Sequence, residues 1–176
     1  MNLRRYRSED LPALSRLFGE TVRRVNIRDY TPAQVEAWSA GQADLLARDG
    51  WFRRLHTLVA EADGRIVGHI LFTKIRIGTS TQLALVPLSV LPAFQGQGVG
   101  SALVRRGHQI ARDLGYSYSV VLGSETYYPR FGYVPAEQLG IQAPFPVPAE
   151  NFMAVKLTED APPVRGMVQY APEFGI

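Results

Sequence analysis

The sequence predicts an α+β, mixed α/β fold, and three observations carry that expectation. Helix-like and strand-like runs intermingle along the chain. A two-residue hairpin signal sits at Asp63-Gly64. One strand–glycine–helix–strand crossover follows near the middle. The chain does not repeat the crossover often enough for a fully doubly wound sheet.

The elements follow in order. NLRRYR (2–7) reads as a short first strand. Ser8 or Asp10 is placed to cap a helix whose apolar positions Leu11, Leu14, Leu17 and Phe18 recur at helical spacing. Thr31-Pro32 puts an N-cap before a first-turn proline and opens a second helix, PAQVEAWSAGQADLLARDG. HTLVAEA and RIVGHILFTKIRI flank Asp63-Gly64 as the arms of a hairpin. QLALVPLSVL is a further strand. A helix from about Gly98 to Leu114 buries Val99, Leu103, Ile110 and Leu114, and Gly115 ends it. SYSVVLG (117–123) is a strand, ETYYPRF (125–131) a short helix or turn, and FMAVKL (152–157) a late strand. No repeat or linker divides the chain, so residues 1–176 read as one domain, large enough to bury a core.

Composition narrows the function. The 19 Lys+Arg against 16 Asp+Glu give a net charge of +3, which is mild for nucleic acid but suits an anionic small ligand. The start, MNLRRYRSED, lacks the apolar stretch of a signal peptide, and LALVPLSVLPAF is too short and interrupted to span a bilayer. With no cysteine, disulfides, thiolate–metal sites and a cysteine nucleophile are excluded. The expected location is the cytoplasm.

The chemistry concentrates in LSVLPAFQGQGVGSALVRRG (88–107). Glycines at a strand-to-helix junction let backbone N–H groups approach phosphate oxygens, and the helix N-terminus adds partial positive charge. A triphosphate loop would need a lysine after its last glycine, and Gly100 is followed by Ser101. A dinucleotide fingerprint fails at its third glycine, where Ser101 stands, and Pro92–Gln95 separate the glycines from the strand.

Gln95-Gly96-Gln97-Gly98-Val99-Gly100 matches [RQ]-x-x-G-x-[GA], the pyrophosphate loop of the GNAT superfamily of N-acetyltransferases. The strand PLSVL before it, and the helix, strand and YYPRFGY after it, stand in that family's order. The chain is identified as a GNAT member from these phrases. It most resembles the YhbS-like subgroup through LVPLSVLPAFQGQGVG, VLGSETYYPRFGYVPA and PFPVPAENFMAVKL. The resemblance runs from about Val59 to the C-terminus. The first third, with DYTPAQVEAWSAG, is only generically similar, and family members usually build their acceptor pockets there.

The resemblance implies a central, mostly antiparallel twisted sheet, splayed between its fourth and fifth strands and flanked by helices. It implies acetyl-CoA as co-substrate, an amine acceptor, direct transfer and no metal; a homodimer is compatible with it. Gln95 leads the loop, and the N–H groups of Gln97, Gly98, Val99, Gly100 and Ser101 would hold the pyrophosphate. The edge Leu88, Val90 and Leu91 would pair with the pantetheine amides as an added strand, with an N–H near Val90 meeting the thioester oxygen. Pro87 suits a strand that leaves its neighbour, or simply ends one early. Arg105 and Arg106 could reach a phosphate or form a solvated basic face.

Tyr128 occupies the tyrosine position of the family signature, and a phenol with pKa near ~10 can protonate a leaving thiolate at neutral pH. Tyr127 takes that role if the register is off by one. No acid lies in VPLSVL, so Glu125, a histidine or a water chain is left as the base. His108 reads as a surface residue beside Arg105 and Arg112, and His69 as a core histidine. Tyr30, Trp38, Trp51 and Phe52 read as core, or as lining for an acceptor pocket. Two other readings remain: a non-catalytic acyl-CoA sensing module, and a toxin-type enzyme acting on aminoacyl-tRNA, which the seven arginines before Tyr30 keep open.

Overall fold

The computed structural model describes residues 1–24 and 56–171. The proposed second helix and Tyr30, Trp38, Trp51 and Phe52 lie outside the described residues. The chain forms two compact units. One comprises Met1–Leu71 with Pro87–Val104, and the other Phe72–Val86 with Arg105–Ile176. Two strands and one helix run continuously through both.

In the first unit, strand β1 (Asn2–Arg5) pairs antiparallel with β2 (His56–Ala62), from Asn2 opposite Glu61 to Arg5 opposite Leu58. A 3-10 turn, Ser8–Asp10, leads into helix α1 (Leu11–Arg24). Arg7 is the N-cap of this turn, and of the two proposed residues Asp10 sits at its third position, its carboxylate accepting the Arg7 backbone N–H at 2.7 Å. Asp10 is drawn there by Arg4, whose guanidinium donates to both carboxylate oxygens at 2.8 Å and to Glu61 at 3.0 Å. Arg4 thereby holds the Asp10 carboxyl below its usual range. Leu14 and Leu17 are buried as the spacing predicts, while the side chain of Phe18 lies outside the described residues.

β2 turns into β3 (Arg65–Ile77) through Asp63 and Gly64, both at positive φ (51° and 69°), as a type I′ turn requires. β3 is buried without a break from Val67 to Thr73, then alternates through exposed Lys74 and Arg76. A strand covered on both faces becomes one covered on a single face. β4 (Ser80–Val90) follows a turn at Gly78-Thr79, and the strand order in this unit is β1-β2-β3-β4.

The second unit orders its strands β3, β4, β5 (Tyr118–Leu122), β8 (Phe152–Lys156) and β6 (Val134–Pro135), with β9 (Gly166–Gln169) on β3 and β7 (Ile141–Gln142) on β9. β5 (Tyr118–Leu122) lies parallel to β4, and the ladder runs from Leu83 opposite Ser119 to Leu85 opposite Val121. Pro87 follows two residues after this pairing. Gln82 ties the start of the pairing. Its side-chain oxygen accepts the N–H groups of Ser117 and Tyr118 at 3.0 and 2.9 Å.

β8 (Phe152–Lys156) runs antiparallel to β5 and to β6 (Val134–Pro135). β7 (Ile141–Gln142) is parallel to β9 (Gly166–Gln169), which is antiparallel to β3. The sheet is thus mostly antiparallel. Ile75, Ile77, Tyr118, Val120, Ile141 and Phe152 are among the residues of its buried core.

Helix α2 (Val99–Asp113) ends at Gly115 in a left-handed conformation, φ 84°. The N–H of Tyr116 reaches the carbonyl of Ala111, and that of Gly115 the carbonyl of Arg112, a Schellman ending. Its buried residues differ from the expected set. Val99 and Leu103 are buried, but so are Val104, His108 and Ala111, whereas Leu114 is 47% exposed. The buried stripe runs through Gly107 and His108, which an apolar count cannot see. Gly107 is required because a Cβ there would lie 2.3 Å from the Phe72 ring.

Candidate functional site

In the first unit, the candidate site residues follow one another along the chain from β4 to α2. Leu88 and Val90 are half-buried, and Ser89 between them is buried. Leu91 departs from the expectation. Its N–H donates to the carbonyl of Val67 on β3 at 2.8 Å, and its carbonyl accepts the N–H of Phe94 at 2.8 Å. Backbone groups alternate in direction along a strand. Leu91 facing β3 therefore aims the N–H groups of Val90 and Leu88 the other way, onto the opposite edge. The Val90 carbonyl accepts the side-chain amide of Gln95 at 2.9 Å.

A 3-10 turn, Pro92–Phe94, then brings the chain into Gln95–Gly98, all exposed. The side chains of both glutamines brace this loop from within. Gln95 holds Val90, and the Gln97 amide donates to the carbonyl of Ala93 at 2.8 Å. Gly96 and Gly98 have φ of 72° and 82°, and nothing lies within 4 Å of where a Cβ would be. Glycine is thus needed here for its left-handed backbone, not for want of room. The space above the loop is open. The Gly98 carbonyl accepts the N–H of Ala102, so α2 starts there, and the N–H groups of Val99, Gly100 and Ser101 have no partner in the helix ladder. A braced, exposed turn with clear space and a helix's free donors fits a pyrophosphate.

Gly68 seats this helix start. A Cβ on it would meet Val99 Cγ1 at 3.0 Å and Leu103 at 3.2 Å. The first turn of α2 thus rests against the backbone of β3.

In the second unit, Tyr128 opens a 3-10 turn, Tyr128–Phe131, that ends at Gly132 with φ 88°. Tyr128 is buried, and burial pushes its phenol above the ordinary value, with Tyr127 adding to the rise. It is a phenol that stays protonated. Its ring lies against the backbone of Gly123, where a Cβ would stand 2.4 Å away. Tyr127 meets the Tyr128 ring edge-on, at 5.2 Å between centroids, and carries the Arg130 guanidinium over its own face at 4.6 Å.

Glu125 is exposed and accepts the Asn151 amide at 2.9 Å; the same nitrogen donates to the Gly123 carbonyl at 3.1 Å. Arg105 and Arg106 are exposed, with Arg105 above the Phe131 ring at 5.7 Å. His69 is buried on β3, where desolvation lowers its pKa to about 4.

His108 is not a surface residue. It is 6% exposed, and its Nε2 lies 3.0 Å from the hydroxyl of Tyr133, which also meets Ser119 Oγ at 2.8 Å. Burial, with Arg112 nearby, pushes the imidazole down to about 4. The sequence reading missed Tyr133 and Ser119. The available signal was the last aromatic of YYPRFGY, placed just after a glycine. Among the described residues, no group of three or more His, Cys, Asp or Glu is placed to hold a metal, and no helix is long and apolar enough to cross a membrane.

Comparison with known proteins adds independent findings. The model of the Acetyltransferase (GNAT) family matches residues 21–133. YjhQ of Escherichia coli (strain K12), called an uncharacterized N-acetyltransferase, is 38% identical over 141 residues, 74% of this chain and 78% of the relative. YhbS of the same strain, also an uncharacterized N-acetyltransferase, is 28% identical over 130 residues, 72% of this chain and 78% of the relative. The crystal structure of Escherichia coli YhbS in complex with CoA superposes with a TM-score of 0.81 at 25% identity, covering 99% of this chain and 92% of that one. A GNAT family acetyltransferase from Brucella melitensis in complex with acetyl-CoA gives 0.68 at 29% identity, covering 98% and 97%.

Proposed function

The chain belongs to the GNAT family of N-acetyltransferases, and from that premise we propose that it moves the acetyl group of acetyl-CoA directly to a primary amine of a small molecule or peptide. The observation that carries the proposal is the Gln95–Gly98 turn. It is braced by its own glutamines, open above two left-handed glycines, and set at the start of α2. The CoA and acetyl-CoA bound to the YhbS and Brucella proteins support the same ligand here.

Acetyl-CoA supplies the acetyl group as an activated thioester. The N–H groups of Gln97 through Ser101 hold its pyrophosphate at the positive end of α2. The outward edge at Leu88 and Val90 takes the pantetheine amides as a strand would, and the Val90 N–H donates to the thioester oxygen. Tyr128 gives its proton to the leaving sulfur. Glu125, held by Asn151, is the carboxylate offered to the incoming amine. With no cysteine in the chain, transfer proceeds within a ternary complex rather than through a thiol on the enzyme.

An acceptor panel tests the proposal. Thiol release should follow acetyl-CoA when at least one primary amine is supplied, among small amines, ribosomal-protein peptides and aminoacyl-tRNA. Binding of acetyl-CoA with no release across the panel would make the chain a sensor instead. Release with aminoacyl-tRNA alone would favour the toxin-type reading. That reading has lost part of its basic patch, since Arg4 is committed to Asp10 and Glu61, and Arg7 lies 3.6 Å from Glu9.

A further inference from the structure

Within the second unit, a buried polar trio stands behind Tyr128. Gly132 turns the chain in a left-handed conformation, and Tyr133 follows it into the interior, 2% exposed. A phenol at that depth needs partners for its hydroxyl. It has two: Ser119 Oγ from β5 at 2.8 Å and His108 Nε2 from α2 at 3.0 Å. Ser119 is fully buried and His108 nearly so. The Tyr133 hydroxyl has one proton to donate, so one of the two accepts it and the other donates. A neutral imidazole can do either, and burial keeps His108 neutral down to about pH 4.

The pinned ring of Tyr133 meets the Tyr128 ring edge-on, with centroids 5.6 Å apart and planes at 72°. Tyr128 also touches the main chain of Gly123, which is itself fixed by donating its N–H to the Asn151 carbonyl at 2.9 Å. The Tyr128 ring thus rests on immobile backbone and on a second ring that cannot slide without breaking two buried hydrogen bonds. Such networks add little net stability compared with an apolar filling, but they define one geometry.

We infer that Tyr133, anchored by Ser119 and His108, is a positioning residue that sets the Tyr128 phenol for proton transfer. The inference rests on the reading of Tyr128 as the general acid. A proton donor must stay within hydrogen-bond reach of its target, and small displacements cost rate steeply. Tyr133→Phe keeps the ring and removes both anchors. His108→Gln offers an amide near the former Nε2 position, while His108→Leu offers none.

The test is a double-mutant cycle, with turnover measured on the best acceptor of the panel. Tyr133→Phe and His108→Leu should each lower kcat about tenfold at unchanged KM for acetyl-CoA. His108→Gln should recover most of the loss. In a Tyr128→Phe background, Tyr133→Phe should cost nothing further. Equal losses in both backgrounds, or no loss in either, overturn the inference.

If Tyr128→Phe alone leaves turnover intact, the acid assignment fails and takes the inference with it. That outcome is separable because it is read from the single variant. A second readout needs no acceptor. The Tyr128 ring signal in 13C-tyrosine NMR of the CoA-saturated protein should broaden or split in Tyr133→Phe and His108→Leu, and return in His108→Gln. An unchanged Tyr128 signal in all three contradicts the inference, and a folded spectrum elsewhere excludes collapse of the variants.

Discussion

Tyr128→Phe is expected to lower kcat about 100-fold or more, with little change in KM for acetyl-CoA. The substitution removes one oxygen and leaves the ring against Gly123, Tyr127 and Tyr133, so packing is kept and proton donation is lost. Desolvation raises the phenol pKa. A raised pKa means that the protonated form persists through neutral and mildly alkaline pH. The wild-type rate should therefore show no alkaline decline from this group below its ordinary pKa, whereas deprotonation of the attacking amine should raise the rate with pH. Steady-state kinetics from pH 6 to 9 on both proteins reads the two effects together. A Tyr128→Phe variant as fast as wild type at neutral pH means that another group, or water, protonates the sulfur.

The second large effect is on stability, and its sign is opposite to what helix propensity alone gives. Gly107 lies inside α2, where replacing an exposed glycine by alanine would add about 1 kcal/mol. Here the new Cβ would stand 2.3 Å from Cε2 and 2.7 Å from Cζ of Phe72, a ring 1% exposed and packed near His108. A buried ring in that position cannot swing away as a flexible chain end would. Overpacking of this kind costs roughly 1–3 kcal/mol and at the upper end exceeds the propensity gain. Gly107→Ala should therefore lower stability by up to about 2 kcal/mol and Tm by up to roughly 8 °C. Thermal unfolding followed by circular dichroism checks it. A rise in Tm would mean that Phe72 and α2 have slack that the geometry does not show.

Much of the architecture was legible because its signals are local. Asp63-Gly64 specifies a turn with two positive φ angles, Gly115 specifies a helix end, and Gln95–Gly100 can serve few purposes between a strand and a helix. The misreadings came where burial depends on partners far along the chain. Ser8 and Asp10 have capping side chains, but a 3-10 turn with Arg7 at its N-cap precedes α1, and the Asp10 carboxylate takes the Arg4 guanidinium together with the Arg7 N–H. The stripe of α2 was drawn through Ile110 and Leu114 because they are apolar. The actual stripe uses Gly107, which admits a ring from β3, and His108, whose polar nitrogen is satisfied by Tyr133. No count of apolar spacing can anticipate either.

Leu91 shows the same limit at the candidate site. The family resemblance puts it on the pantetheine edge beside Val90, yet its N–H is spent on Val67. Glu125 was legible as an acid after a strand. Its tether to Asn151 depends on the pairing of β5 with β8 and was not.

The braced turn and the strand edge before it form the proposed seat for CoA. Calorimetric titration of the purified chain with acetyl-CoA tests that claim most directly. The expected result is one saturable site per chain, with affinity weakened by Gly98→Ala, which forces a side chain into a left-handed conformation at the turn. No heat of binding up to millimolar acetyl-CoA would contradict it.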